Sequence, residues 1–135
     1  MDFICHKEIK DDDITVDVRT KEEYLHMPLF RYNLPIINKK QHDFLKKIPI
    51  LSIPIVTYGF IRNSELLKKE LLSLSNNRQN AIIVGCNRGR LRSPFIYYYA
   101  KILGIECKIL KFGIKSFYDK ENMTPYEYLK SYFQL

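Results

Sequence analysis

One short stretch constrains the fold of this chain more than any other. An apolar run at residues 81–85, "AIIVG", is followed at once by Cys86, a basic loop and a helical pattern. A run without alternation is typical of a strand buried on both faces of a parallel sheet. Ser93 and Pro94 predict the N-cap and first residue of the helix, and Gly104 predicts its end. Such a strand-to-helix unit is typical of α/β domains.

The same alternation of strand and helix patterns continues along the rest of the chain. In the first half of the chain the predicted elements are a strand at 14–18, a short helix with a Thr20/Glu23 capping box, a proline-rich loop with an edge strand and a helix capped by Asn38. They are followed by an amphipathic helix at 63–75, a strand at 105–110, a break at Gly113 and a terminal helix from Thr124. We therefore predict one α/β domain, residues 1–135, with a mainly parallel central sheet and helices on both faces.

Composition narrows the class of protein. The 135 residues include 46% hydrophobic ones, enough for one compact core, and neither a membrane-spanning run nor a signal-peptide pattern is present, so we expect a soluble, cytoplasmic protein that does not bind membranes. The three cysteines are too few for a disulfide scaffold, and without a CxxC pair they do not indicate a zinc site. A net charge of +7 would suit a polyanionic partner, although basic composition alone indicates this only weakly.

Cys86 is predicted to lie where ligands bind in open α/β sheets, at the carboxyl end of a strand and before a helix N-terminus. Unpaired backbone N–H groups and the helix dipole stabilise a negative charge there, and the cationic side chains of Arg88, Arg90 or Arg92 could stabilise it further. The sequence therefore predicts a reactive Cys86 thiolate as the catalytic nucleophile. The candidate anion-binding residues are Asn87, Arg88, Gly89, Arg90, Leu91, Arg92 and Ser93.

A purely structural interpretation competes with each of these assignments. Cys86 could be a small core residue and the arginines merely solvated, but three cations near a helix N-terminus oppose the dipole, which fold stability does not explain. For Cys107, within a predicted buried strand, the core interpretation is favoured, and Cys5 is expected to have no role. Asp17 and Arg19, at the end of the first long strand, are predicted to form a structural ion pair near the site.

The motifs resemble those of rhodanese-like domains over nearly the whole chain. "ITVDVRTKEEY" is similar to their D-V-R-x-x-x-E-[YF] element, "HMPLFRYNLP" resembles their "GHIPGAINIPL" segment, and "IIVGCNRGRLRS" resembles their active-site strand and loop. Within that superfamily the loop is most similar to the C-x-R-G-G-x-R-S motif of the tRNA 2-selenouridine synthases. Two positions depart from the family: Arg90 stands at the second glycine of that motif, and Phe112 at the first glycine of a later one.

The resemblance implies a sulfur or selenium transferase in which Cys86 carries a persulfide or perselenide. No metal or organic cofactor would be needed, and the implied partners are a sulfane sulfur or selenium donor, tRNA and a P-loop protein. The synthases continue into a nucleotide-binding domain with a G-x-x-x-x-G-K-[ST] loop, which this sequence lacks. The nucleotide-binding domain would then be separate or missing.

Two other functions remain open from the sequence. Cys86 and Arg92 also satisfy the C-x5-R signature of cysteine phosphatases, some of which share the rhodanese fold, but the loop offers no acid to protonate a leaving oxygen, and Asp119 is an unsupported candidate. The third interpretation is a rhodanese-like module that binds a partner or an anion without turnover.

Overall fold

The computed structural model describes residues 2–86 and 91–114 of the chain. In this part of the chain the strands are β1 (Phe3–Ile4), β2 (Ile14–Asp17), β3 (Tyr32–Asn33), β4 (Ile82–Gly85) and β5 (Cys107–Leu110), and the α-helices are α1 (Lys21–His26), α2 (Lys39–Lys47), α3 (Ser52–Arg62), α4 (Ser64–Leu74) and α5 (Arg92–Ile102). Short 3₁₀ turns occupy His6–Glu8 and Pro49–Leu51. The predicted terminal helix lies outside the described residues.

The five strands form one sheet in the order β1-β5-β4-β2-β3, and each described pairing is parallel. The apolar run that the sequence analysis singled out is thus β4, at the centre of the sheet. Because all the strands run the same way, their carboxyl ends meet at one edge. The predicted α/β fold is confirmed.

Helices cover both faces of the sheet. Ile82 and Val84 belong to a large apolar cluster that also includes side chains from α2 to α5. Ile83, which alternates with them along β4, belongs to a second cluster, and Tyr24 of α1 packs against that cluster. Since successive strand residues point to opposite faces, the uninterrupted apolar sequence of β4 is explained by burial on both sides.

The predicted helix ends at α1, α2 and α5 can be compared with the observed caps. The Thr20/Glu23 capping box is present, and Asn38 caps α2 in the same way with Gln41. Gly104 follows α5 with a φ of 81°, in the left-handed region that glycine tolerates. The N-cap predicted at Ser93 is wrong, because α5 already begins at Arg92, which an ion pair holds inside the domain.

Two segments differ from what their composition suggests. No element is predicted from sequence for the proline-containing segment 48–60, which contains a 3₁₀ turn and most of α3 in the structure. Pro54 is accommodated because it lies in the first helical turn, where its missing N–H is not needed. Phe112, which stands where the motif that this segment resembles has glycine, adopts a φ of 64°. The backbone at this position is therefore the one that glycine favours.

Within the described ranges, every helix is too short or too polar to cross a membrane.

Candidate active site at the carboxyl edge of the sheet

Cys86 lies directly after β4, at the carboxyl edge of the sheet. The register places Asp17 opposite Gly85, and the Val18 N–H donates a 2.9 Å hydrogen bond to the Gly85 carbonyl. On the other side, the Ile114 N–H donates a 2.7 Å hydrogen bond to the Cys86 carbonyl. The backbone of Cys86 is thus fixed between β2 and the chain that follows β5, where the sequence analysis placed it.

Glycine is required immediately before Cys86. A Cβ atom at Gly85 would lie 2.8 Å from a ring carbon of Phe30, closer than side chains approach one another. Phe30 is itself buried in the second apolar cluster, so it has little room to move. Any larger residue at position 85 would therefore displace the backbone that carries Cys86.

The Cys86 side chain is 3% exposed and belongs to the large apolar cluster with Val84 and Ile96. No disulfide joins it to either of the other cysteines, Cys5 and Cys107. This burial is what the structural interpretation of Cys86 expects. However, that interpretation also expects the neighbouring arginines to extend into water, and Arg92 does not.

Arg92 carries a positive charge that is almost completely buried. Its side chain is 1% exposed, and its Nη1 and Nη2 atoms donate to Glu23 Oε1 at 2.8 Å and Oε2 at 3.5 Å. Burial by itself lowers the pKa of the guanidinium, but the charges of Glu23 and Cys86 raise it above its ordinary value. The sulfur of Cys86 therefore lies within electrostatic reach of a permanent cation.

The Nε atom of Arg92 and the Oγ atom of Ser93 are buried polar groups without a hydrogen-bond partner among the described residues. Buried donors are normally paired, because an unpaired one costs about 1–3 kcal/mol. Both belong to the first turn of α5, six and seven residues after Cys86 in the sequence. They are candidate donors to an anion bound at the sulfur.

Glu23 and His42 are site residues that sequence analysis missed. Burial alone would raise the pKa of Glu23, but the Arg92 charge and hydrogen bonds, His42 and the Thr20 N–H lower it to about 2. His42 Nε2 lies 3.6 Å from Glu23 Oε1, and burial lowers the pKa of the imidazole. Glu23 occupies the acidic position of the segment that resembles the rhodanese motif, but the sequence predicts only a helix-capping role for it. No pattern in the sequence pointed to His42.

Asp17 and Arg19 form the ion pair that the sequence predicted. Arg19 Nη2 lies 2.7 Å from Asp17 Oδ2, its Nε donates to both carboxylate oxygens, and its Nη2 also reaches the Met27 carbonyl. Burial raises the pKa of Asp17, although the Arg19 hydrogen bonds and charge oppose that shift. The pair ties the end of β2 to the end of α1, next to the site.

Of the remaining predicted anion-binding residues, only Leu91 belongs to the part of the chain that the structure describes. Asn87, Arg88, Gly89 and Arg90 lie outside the described residues. Leu91 is the N-cap residue of α5 and packs against the large cluster.

The other two cysteines differ from Cys86 in their surroundings. Cys107 is fully buried in β5, and burial raises the pKa of its thiol to about 12, as expected for a core residue. Cys5 is partly buried near the start of the chain. No cluster of three or more histidine, cysteine, aspartate or glutamate side chains among residues 2–86 and 91–114 could hold a metal ion.

These features define an α/β domain with a cysteine and a buried arginine at the carboxyl edge of its sheet. Among solved structures, a similar one is the N-terminal domain of a "putative ATP/GTP binding protein" from Clostridium difficile 630, with a TM-score of 0.67 and 26% sequence identity, over 85% of this chain and 95% of that one. No family model and no curated protein matches the chain. The likeness therefore supports a shared domain fold over most of the chain.

Proposed function

We propose that this domain is a sulfur or selenium transferase that carries the chalcogen on Cys86, with a role in tRNA wobble-uridine modification. The observation that carries the proposal is the buried Arg92 guanidinium, which lies within electrostatic reach of Cys86 at the carboxyl edge of the sheet. A persulfide or perselenide is anionic, and a fixed cation in a water-poor environment stabilises such a charge strongly. The motif similarity to rhodanese-like domains supports the same chemistry.

The proposed transfer takes place in two balanced steps. The Cys86 thiolate attacks the outer sulfur of a sulfane donor such as thiosulfate, forming an S–S bond with Sγ. The S–S bond of the donor breaks, and sulfite leaves with the electron pair. An acceptor nucleophile such as cyanide then takes the terminal sulfur, and the electron pair of the broken bond restores the thiolate. A donor with selenium in the outer position would give a perselenide in the same way.

The ionisation state of Glu23 favours this reaction over phosphate hydrolysis. Hydrolysis of a phosphate ester needs an acid to protonate the leaving oxygen, whereas sulfite leaves as an anion. Glu23 is the carboxylate paired with Arg92, and a pKa of about 2 keeps it ionised near neutral pH. Burial raises the pKa of Asp17, but both of its carboxylate oxygens accept hydrogen bonds from Arg19 and are not available to a leaving group. Asp119, the other candidate acid, lies outside the described residues.

A nucleotide-binding partner fits the proposed place of the domain in a longer reaction. The solved structure with the same fold is the N-terminal domain of a protein described as binding ATP or GTP. The resemblance to the selenouridine synthases likewise implies a P-loop unit after or beside the rhodanese-like domain. We propose that such a unit acts with this chain, as part of it or as a separate protein.

Mass spectrometry after exposure to thiosulfate, or to selenosulfate, its analogue with selenium in the outer position, tests the proposal directly. We expect one added sulfur or selenium atom on Cys86, thiosulfate-to-cyanide transfer in the wild type, and complete loss of both in Cys86→Ser with the fold retained. Cys5→Ser is the matched control and should keep full activity. Arg92→Ala should weaken transfer by about tenfold or more, since it removes the buried cation.

Three results would contradict the proposal. Transfer that survives in Cys86→Ser would show that another group is the nucleophile. Hydrolysis of an aryl phosphate that depends on Cys86, without sulfur transfer, would establish the phosphatase instead. Absence of both an adduct and hydrolysis would favour the binding module without turnover.

A further inference from the structure

The segment at residues 49–61 carries no charged residue, yet one side of it faces solvent. Its inner residues pack well: Val56 is fully buried in the large cluster, and Gly59 lies so close to the Ile36 carbonyl that a Cβ atom would be 2.8 Å away. A surface helix normally places polar residues on its outer side. The outer side of α3 is mostly apolar, with only Thr57 and, at the end of the helix, Arg62 as polar residues besides Tyr58, which indicates that a partner covers it.

The outer side of α3 and the neighbouring part of α2 form a continuous patch, here called the α2–α3 apolar surface. Ile50 is 86% exposed, Ile53 66%, Ile61 65% and Tyr58 55%, and Phe44 and Ile48 extend the patch onto the end of α2. The exposed apolar area is on the order of several hundred Å², comparable with the largest patch of an ordinary monomer, which is often functional. A patch of this size is typical of an interaction site.

A groove runs through the α2–α3 apolar surface. Its volume is about 360 Å³, and its walls include the Phe44 and Tyr58 rings together with Pro54 and Ile55. An open apolar groove between two helices is suited to the apolar face of a third helix, whose side chains at positions i, i+3 or i+4, and i+7 would enter it. A flat lipid surface would leave such a groove empty.

The charges around the groove are mainly positive. Residues 39–62 contain four lysines and one arginine against a single acidic residue, Asp43. Lys40 lines the groove itself, and Arg62 donates to the Tyr58 hydroxyl at 3.1 Å. A second copy of the chain would bring a positive rim against a positive rim, since a two-fold interface uses the same patch on both subunits. An acidic partner is complementary instead.

From the groove and its rim, we propose that the α2–α3 apolar surface docks an amphipathic helix of a partner protein whose apolar face is flanked by acidic residues. The inference does not depend on the chemistry at Cys86. Burial of the exposed isoleucines would supply the affinity. The basic rim would select the partner and orient it.

Fluorescence anisotropy with designed peptides tests the proposal on the full chain. The probe is a labelled helical peptide of about 15–20 residues, long enough for several turns, with leucines on one face and glutamates on its flanks. The matched peptide has lysine in place of each glutamate. We expect the acidic peptide to bind at least about tenfold more tightly than the basic one, and Lys40→Glu to reduce that ratio.

Variants of the surface separate docking from non-specific adhesion. The double variant Phe44→Asp and Tyr58→Asp replaces the two exposed rings that line the groove and should weaken binding by about tenfold or more, as expected for central anchors. Leu25→Asp is the matched control: Leu25 is 64% exposed on α1 and its replacement should leave binding unchanged. Circular dichroism of each variant checks that the fold is kept.

Several results would overturn the proposal. Equal binding of the two peptides, or binding that survives the double variant, would show that the patch is not the site, and absence of binding would have the same meaning. Sedimentation that shows a dimer abolished by the double variant would assign the surface to a second copy. Retention by anionic phosphatidylglycerol vesicles, lost in the same variant, would assign it to a membrane.

Discussion

Replacing Glu23 with glutamine should remove the negative charge that holds Arg92 while keeping the helix cap. In the capping box, Glu23 Oε1 accepts from the Thr20 N–H at 3.1 Å. Glutamine has the same length and an oxygen in the same place, and it serves in such boxes as well as glutamate does. The change therefore isolates the ion pair with Arg92 from the local stability of α1.

The size of the effect follows from the pKa of Glu23. The pKa falls from its ordinary value of 4.5 to about 2, which corresponds to about 3 kcal/mol of stabilisation of the ionised form. The carboxylate is partly exposed, with 18% of its side-chain surface accessible, so solvent screening makes this an upper limit. Loss of one partner of a buried pair also leaves an uncompensated charge on Arg92. We expect Glu23→Gln to lower the free energy of unfolding at pH 7 by about 2–3 kcal/mol.

The pH dependence gives the prediction a second, independent check. Because the pKa of Glu23 is lower in the folded protein than in the unfolded chain, the folded state binds fewer protons as Glu23 titrates. Its stabilising contribution is therefore complete above about pH 4.5 and is lost as the pH falls through about 2. The difference between the wild type and Glu23→Gln should grow slightly from pH 7 to pH 5, because loss of the Glu23 charge also disfavours protonation of the neighbouring His42, and it should shrink below pH 4.5.

Urea unfolding at a series of pH values measures this difference. Glu22→Gln is the matched control, because Glu22 is an exposed neighbour in the same helix turn, and it should change the free energy of unfolding by less than about 0.5 kcal/mol. If Glu23→Gln behaves like Glu22→Gln, or if its effect does not change with pH, then the ion pair with Arg92 does not stabilise the site as argued here.

Two further predictions concern residues near the ends of β5. Thermal unfolding should show Phe112→Gly to be more stable than Phe112→Ala by about 1 kcal/mol. The reason is that a φ of 64° is sterically unfavourable for alanine but not for glycine. Equal stability would mean that the backbone changes conformation in the variants. Cys107, fully buried and with a pKa of about 12, should be alkylated by iodoacetamide in the native protein far more slowly than Cys5, and comparable rates would show that β5 opens readily.

The position of Cys86 could be predicted from local sequence because each feature that places it is local. The apolar residues of β4 indicate a doubly buried strand, and the residues that follow contain the start of α5. The carboxyl edge of a parallel sheet is where such a turn must lie. The caps at Thr20 and Asn38 were predictable for the same reason, since capping involves residues only three positions apart.

The start of α5 could not be placed as accurately. Ser93 and Pro94 favour a helix that begins after Ser93, but the ion pair of Arg92 with Glu23 draws Arg92 into the interior, and the helix begins there. Likewise, an uncharged segment such as 49–61 is normally expected to be buried. Its exposed face on α3 becomes visible only once the helix is packed against the sheet.

Three features could be predicted from the sequence alone: the alternation of strands and helices, the strand that precedes Cys86 and the ion pair between Asp17 and Arg19. Each depends on residues that are close together in the chain. The pairing of Glu23 with Arg92, 69 residues apart, was decided by the tertiary structure. Only folding brings α1 and α5 together at the same edge of the sheet, and the removal of water there gives two ordinary surface residue types their strong mutual attraction.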